Sequence, residues 1–222
     1  QFEGEYKNGL RWNGKGYDYE GREEFEIENG TGFGKEYYSN GQIKYEGEYL
    51  NGKRNGKGIS YRKYKEWGDW CSYLDFKGEF LDGKRWKGKG TEYDFYKSSL
   101  LLLEGEYLKG KRSGKGKEYE NHGDVISEGE YLNGKRNGFG KEYSHGILKS
   151  EEEYLNGEKN GLMKEFWMDD YSQGEYLNGE RNGYGKEYYH DDILKYEGKY
   201  LNGERNGYGK EFDYNGKLIF EG

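Results

Sequence analysis

The chain has 222 residues, a formal charge of −7 and only 31% hydrophobic residues, with 40 glycines and no proline. Those ingredients exclude a large conventional core, the acidic balance works against capture by nucleic acid or an anionic bilayer, and the lone Cys71 excludes an intrachain disulfide framework. The aromatics argue against disorder: at 18% of the chain, with 26 tyrosines, they offer large contact area at low rotamer cost.

Taken from the N-terminus, one motif returns again and again. It opens irregularly at Gly4, in degenerate form at Glu23, clearly at Gly47, Gly78, Gly105 and Gly129, in degenerate form at Glu152, and clearly again at Gly174 and Gly198. The interval is 31 residues from Gly47 and 27 from Gly78, then 24, 23, 22, 24 and 24 from Gly105 onward. The two long intervals come from insertions around Tyr61 to Phe76 and Tyr93 to Glu104, which are expected as loops on a regular frame. The longest aliphatic run, Leu100 to Leu103, is far short of the roughly 20 residues of a membrane helix, and no signal-peptide pattern opens the chain. The reading is a single array, 1–222, of about nine hairpin units. The start at Gln1 and the final Glu221-Gly222, which opens a further copy, make it expected to be a fragment of a longer array.

Each unit reads as strand, turn, strand. In Tyr45-Glu-Gly-Glu-Tyr49 rings and glycine alternate with glutamates, the period of a half-exposed strand. Two Asn-Gly pairs follow, Asn51-Gly52 and Asn55-Gly56, and either suits the positive φ of a tight hairpin turn. The second strand is Gly-x-Gly-Lys-Glu-aromatic, as in Gly138-Phe-Gly-Lys-Glu-Tyr143, and a second turn such as Asn40-Gly41 or Asn215-Gly216 leads onward. Glycines inside strands leave bare backbone that a neighbouring ring must cover, and every unit supplies both glycine and ring. The fold class is therefore all-β, an elongated, twisted and open-ended antiparallel ribbon of tandem hairpins.

The string Tyr45-Glu-Gly-Glu-Tyr-Leu-Asn-Gly-Lys-Arg-Asn-Gly-Lys-Gly58 closely resembles the MORN (membrane occupation and recognition nexus) repeat, and the likeness covers nearly the whole chain. Connectors such as Lys35-Glu-Tyr-Tyr-Ser-Asn-Gly-Gln-Ile-Lys-Tyr-Glu46 resemble the MORN-variant type found in bacterial and viral-type proteins. There are departures. Tyrosine or phenylalanine stands where tryptophan is usual, asparagine precedes Gly-x-Gly where histidine is common, and Glu152 and Met163 occupy glycine positions. Arg11-Trp12 and Arg85-Trp86 carry an extra residue that reads as a bulge with tryptophan filling the kink. The resemblance implies binding without catalysis: scaffolding, self-association, the grip of a partner helix, or membrane and phosphoinositide association.

Two residue rows are candidate sites. Tyr49, Phe80, Tyr107, Tyr131, Tyr154, Tyr176 and Tyr200 recur at one ring position and form a ladder that, where exposed, would contact a protein partner. Lys117, Lys141, Lys164, Lys186 and Lys210 recur beside glutamates, either as a solvated ion-paired face or as a lipid-headgroup stripe. The connector histidines His122, His145 and His190 read as solvent-facing, Cys71 has no basic neighbour to activate it, and Asp169-Asp170 and Asp191-Asp192 read as solvated turns. Gly30-Thr-Gly-Phe-Gly-Lys35 is a repeat variant rather than a phosphate loop. No cofactor, catalytic residue or nucleic-acid partner is expected. The expected function is a non-enzymatic, intracellular, cytoplasmic scaffold that binds a protein or itself along a tyrosine-rich face. The alternatives are a membrane or phosphoinositide tether, peripheral to membrane or cytoskeleton, and an accessory region of a larger enzyme or antitoxin-like protein.

Overall fold

The computed structural model describes residues 1–66, 69–94, 100–120, 123–168 and 170–222, with side chains except at 65, 66, 69, 93, 94 and 100–102. The residues cluster into two compact units, 1–114 and 115–222. Unit 1 holds β1 (Phe2–Lys7), β2 (Leu10–Tyr17), β3 (Glu23–Glu28), β4 (Thr31–Tyr37), β5 (Ile43–Leu50), β6 (Lys53–Glu66), β7 (Asp69–Leu81), β8 (Lys84–Asp94) and β9 (Leu100–Leu108). The unit boundary falls within β10 (Lys111–Tyr119). Unit 2 continues with β11 (Val125–Leu132), β12 (Lys135–Ser144), β13 (Ile147–Leu155), β14 (Glu158–Trp167), β15 (Asp170–Leu177), β16 (Glu180–Tyr188), β17 (Leu194–Leu201), β18 (Glu204–Phe212) and β19 (Leu218–Glu221). From β1 to β9, and again from β11 to β19, each strand pairs antiparallel with the one before it, so both units are all-β meanders of hairpins.

The two Asn-Gly pairs have different work. Asn51 and Gly52 have φ of 54° and 75°, the left-handed pair of a tight two-residue turn, and Asn133-Gly134 and Asn202-Gly203 repeat it. The second pair makes a bulge. In β5 and β6, Gly47 faces Gly58 and Tyr49 faces Arg54, so Glu48 alone stands opposite Asn55, Gly56 and Lys57. Gly56 takes φ 84°, and a Cβ there would lie 2.0 Å from the Glu48 carboxylate. That carboxylate accepts the Lys57 backbone N–H at 3.0 Å, satisfying a donor the bulge leaves out of the ladder. Glu153 and Glu175 do the same for Leu162 and Tyr184, at 3.1 and 3.2 Å. Trp12 and Trp86 are the unpaired residues of shorter, one-residue bulges.

The insertion from Tyr61 to Phe76 is not a loop. It lengthens β6 and β7 into a long hairpin, with Tyr61 facing Leu74, Tyr64 facing Cys71 and Glu66 facing Asp69. Rings do not alternate with polar residues there, since Tyr61 and Tyr64 are three apart, but the ladder pairing continues and the Tyr64 and Tyr73 rings meet at 5.8 Å. In the second insertion β8 and β9 stay paired as far as Asp94 and Leu100, and residues 95–99 lie outside the described residues.

Side chains alternate between a ring face and a back face. On the ring face of unit 1, Phe25, Ile27, Tyr45, Tyr49, Phe76, Phe80 and Tyr107 form a buried cluster. Its rings meet edge to face: Tyr49 on Tyr45 at 5.6 Å, Tyr45 on Phe80 at 5.0 Å, Phe80 on Phe76 at 5.2 Å and Phe76 on Tyr107 at 5.9 Å. Each such contact contributes about 0.5–1.5 kcal/mol beyond burial. The strand glycines are the floor on which these rings lie, since a Cβ at Gly34 would sit 3.0 Å from the Tyr49 ring. On the ring face of unit 2, serines Ser127, Ser150 and Ser172 are buried where unit 1 has Tyr45, Phe76 and Leu103.

Candidate functional site

The ring ladder lies on the buried side of the sheet. Phe80, Tyr49, Tyr107, Tyr131, Tyr200 and Tyr154 are 3–8% exposed, and Tyr176 is half-buried. Their hydroxyls are committed as well. Tyr49 donates to Glu36 at 2.7 Å, Tyr107 to Glu92 at 2.6 Å, Tyr131 to Glu118 at 2.7 Å, Tyr176 to Glu165 at 2.9 Å and Tyr200 to Glu187 at 2.6 Å. The same carboxylates accept an arginine from the hairpin that carries the tyrosine. Arg54 grips Glu36 with two bonds of 2.8 and 2.7 Å, and Arg112, Arg136, Arg181 and Arg205 bond Glu92, Glu118, Glu165 and Glu187 at 2.7–3.0 Å. Five repeats, those of Tyr49, Tyr107, Tyr131, Tyr176 and Tyr200, are thus each latched to the one before by a Tyr–Glu–Arg triad.

The repeat of Phe80 lacks the parts and compensates. Phe80 has no hydroxyl and Ser60 replaces the glutamate, so Asp75 supplies the carboxylate, bonded to Arg85, to Arg62 at 2.6 Å and to the Ser60 hydroxyl at 2.8 Å. The latch sets its own ionisation. Burial alone would raise the Glu36 carboxyl, but Arg54 and Tyr49 hold it down to about 2. Burial and then the glutamate beside each phenol push Tyr107 and Tyr200 up to about 12, and Tyr49 and Tyr154 upward in the same way. The assignment of this ladder as a partner-contact row is therefore corrected: its rings cover glycines and its hydroxyls close the latch. The sequence signal for the latch was present in the recurring glutamate after lysine and the arginine after the first turn.

The lysine row is on the back face, and it is not a positive stripe. Lys141 pairs with Glu151 at 2.8 Å, Lys186 with Glu197 at 3.1 Å, Lys210 with Glu221 at 3.4 Å and Lys117 with Glu128 at 3.6 Å. Lys164 faces Gln173 and lies over the Tyr171 ring at 4.3 Å. Carboxylates alternate with the ammonium groups strand by strand, so the lipid-stripe assignment gives way to an ion-paired face.

Beside the lysines runs a row that sequence reasoning passed over, the middle residue of each Gly-x-Gly. In unit 1 it is Lys15, Phe33, Lys57 and Lys89; in unit 2 it is Lys115, Phe139, Leu162, Tyr184 and Tyr208. The four large apolar residues of unit 2 are 47–63% exposed. Leu132, Leu155, Leu177 and Leu201 extend the patch at the turn side, all about half exposed. Between Phe139, Leu162 and Tyr184 lies a shallow groove of about 450 Å³, lined also by Glu153, Glu175, Lys164 and Lys186.

Comparison with known families decides what kind of repeat this is. The MORN repeat profile matches residues 2–16, 45–62, 104–123, 128–145, 173–192 and 196–217, just over half of the chain. The chain belongs to the MORN repeat family. No individual curated protein matches it. MORN repeats are a non-catalytic repeat type associated with protein and membrane-lipid interactions.

The unmatched stretches contain the degenerate MORN copies, and one of them has a distinct interior. Glu152 takes a glycine position in β13, opposite Met163, and is fully buried. Lys159 stands where other copies have arginine and reaches the Glu152 carboxylate at 2.7 Å, while the Tyr154 hydroxyl donates to it at 2.6 Å. The neighbouring Glu142 is held low: burial works against it, and Lys159, Tyr154 and Arg136 outweigh burial. Across the sheet, Met163 fills the space a glycine would leave, and Tyr176, whose ring would lie there, is the least buried member of the ladder. Of the remaining candidates, His145 forms a tight turn with Gly146, His190 is exposed in a single 3-10 turn, and His122 and Asp169 lie outside the described residues.

Proposed function

We propose that this MORN array is a non-enzymatic scaffold that binds protein through the back face of unit 2. The observation that carries the reading is the exposed row Phe139, Leu162, Tyr184 and Tyr208. Equivalent positions hold Lys15, Lys57 and Lys89 in unit 1, so the repeat fold does not demand an apolar residue there. Large apolar groups retained in water at a position that tolerates lysine support a contact role. A flat, shallow groove with charged walls suits a protein surface better than a small metabolite. An intracellular setting belongs to the same proposal and is supported by the lone Cys71.

The test compares proteins retained by the full chain with those retained by a Leu162→Lys/Tyr184→Lys variant, alongside a Tyr131→Phe/Tyr200→Phe control on the ring face. Loss of specific partners from the lysine variant alone is expected. Identical partner sets for all three proteins would remove the back face from the reading. Retention on anionic vesicles at physiological salt would favour the membrane-lipid side of the family instead.

A further inference from the structure

The back face changes its chemistry along the chain while the hairpin stays the same. The leucine that ends the first strand of a hairpin is about half exposed in both units, at Leu50, Leu81 and Leu108 and again at Leu155, Leu177 and Leu201. What varies is the residue after the turn glycine. It is Lys53, Lys84 and Lys111 in unit 1 but Glu158, Glu180 and Glu204 in the last three turn hairpins of unit 2. The middle position of Gly-x-Gly follows it: Lys57, Lys89 and Lys115 go with the lysines, and Leu162, Tyr184 and Tyr208 with the glutamates. The hairpin of Lys135 and Phe139 has one residue of each kind.

Strand register sets these groups side by side. Leu155 faces Glu158, Leu177 faces Glu180 and Leu201 faces Glu204, so each of these exposed leucines has a carboxylate beside it. Glu153 and Glu175 come two residues before Leu155 and Leu177 on the same face, and they line the apolar groove. All five carboxylates are exposed, and among the described residues no cation pairs with any of them. The lysines nearer the connectors do not offset them: Lys141, Lys186 and Lys210 are taken up by Glu151, Glu197 and Glu221, and Lys164 lies over the Tyr171 ring. Lys199 stands where a third glutamate of the Glu153 row would be. The turn half of this face thus combines apolar groups held in water with negative charge that the chain itself leaves unanswered.

Resting on the scaffold reading, we infer that the occupant of this face is a segment of another protein that is both basic and apolar. Exposed apolar area alone accepts many partners, and the charge beside it selects among them. A basic segment answers Glu158, Glu180 and Glu204 while its apolar side chains cover Leu162 and Tyr184; an acidic one meets repulsion at every leucine. The leucine–glutamate pairs recur every second strand, about 9.6 Å apart, and the six strands from β13 to β18 span about 24 Å. Cations about 10 Å apart are supplied by every third residue of an extended segment or every seventh of a helix. Unit 1 carries the internal contrast, since the same leucines there stand beside lysines, as Leu50 faces Lys53 and Leu81 faces Lys84.

The test is fluorescence anisotropy of a labelled lysine–leucine peptide, long enough to cross the six strands, titrated with the full chain, beside a glutamate–leucine counterpart. The lysine–leucine peptide is expected to bind, more weakly as salt rises, and the counterpart to stay free. Glu158→Lys/Glu180→Lys/Glu204→Lys should bind it at least about 10-fold more weakly. That variant copies Lys53, Lys84 and Lys111, so its fold is retained, with circular dichroism as the check. Glu3→Lys/Glu26→Lys/Glu28→Lys makes the same change of net charge at exposed positions of unit 1 and should bind as the wild type does. A wild type that ignores the peptide, a first variant that binds it equally, or an equal loss in the second variant would overturn the inference. Proteins retained by the full chain separate the two possible failures. Partners lost by Leu162→Lys/Tyr184→Lys but kept by Glu158→Lys/Glu180→Lys/Glu204→Lys would overturn the basic segment and leave the scaffold; partners kept by both would remove both.

Discussion

Replacing Glu36 with glutamine isolates what one latch contributes. Holding a carboxyl at about 2 instead of its ordinary 4.5 corresponds, at about 1.4 kcal/mol per pH unit, to roughly 3 kcal/mol of stability near neutrality. Glutamine keeps the shape and can still accept from Tyr49, but it cannot answer the Arg54 charge. Glu36→Gln should therefore cost about 2–3 kcal/mol at pH 7. The sign with pH is fixed by the direction of the shift. A depressed carboxyl stabilises the fold above its unfolded value near 4.5, and that contribution is lost as pH falls toward 2. The gap between wild type and variant should thus narrow between pH 5 and 2. Urea unfolding of both proteins across that range, with unchanged slopes, measures it. A gap below about 0.5 kcal/mol at pH 7, within the range of an ordinary surface substitution, or one that stays constant down to pH 2, would refute the latch argument.

Other consequences are open to measurement. Lys159→Met strips the buried Glu152 of its cation and should cost about 3–5 kcal/mol, whereas Glu152→Gly with Lys159→Arg restores the common repeat and should equal or exceed the wild type; a double-mutant cycle in thermal unfolding decides. Gly34→Ala puts a methyl 3.0 Å from the Tyr49 ring and should cost about 1–3 kcal/mol, while the exposed turn residue Gly9 replaced by asparagine should cost a few tenths. Equal losses at the two sites would sink the covering role of the rings. Tyr107 and Tyr200, raised to about 12, stabilise the fold fully below pH 10 and lose that contribution as pH climbs through 12, so phenol absorbance should show a late-titrating class that moves with unfolding. A single transition with all tyrosines at 10 would contradict it.

The hairpin repeat was legible because its signals are local. Asn-Gly turns, alternation and strand glycines with rings to cover them each act within a few residues, as Tyr45 to Gly58 shows. The latch was harder to read because Glu36 and Arg54 are 18 residues apart, and at that distance a glutamate beside a lysine looks like any solvated pair. The extended hairpin of β6 and β7 was mistaken for a loop because the insertion breaks the repeat period and spaces its rings by three, as at Tyr61 and Tyr64 or Trp70, Tyr73 and Phe76, off the period of two that marks a strand. The tyrosine ladder recurs at one position of the repeat, yet burial depends on what lies over it, and only the folded positions of Glu36, Arg136 and their partners show those hydroxyls already engaged. The back-face row was hidden by the habit of reading a variable residue between two glycines as filler.

The central claim is that the ring face holds the repeats together and the back face of unit 2 makes the contacts. Hydroxyl-radical footprinting of the free chain and of the chain bound to a partner it retains tests it residue by residue. Tyr131, Tyr154 and Tyr200 should be protected in both states, while Phe139, Leu162, Tyr184 and Tyr208 should be labelled in the free chain and protected in the bound one. Labelling of the ring-face tyrosines, or a back-face row whose labelling ignores the partner, would contradict it.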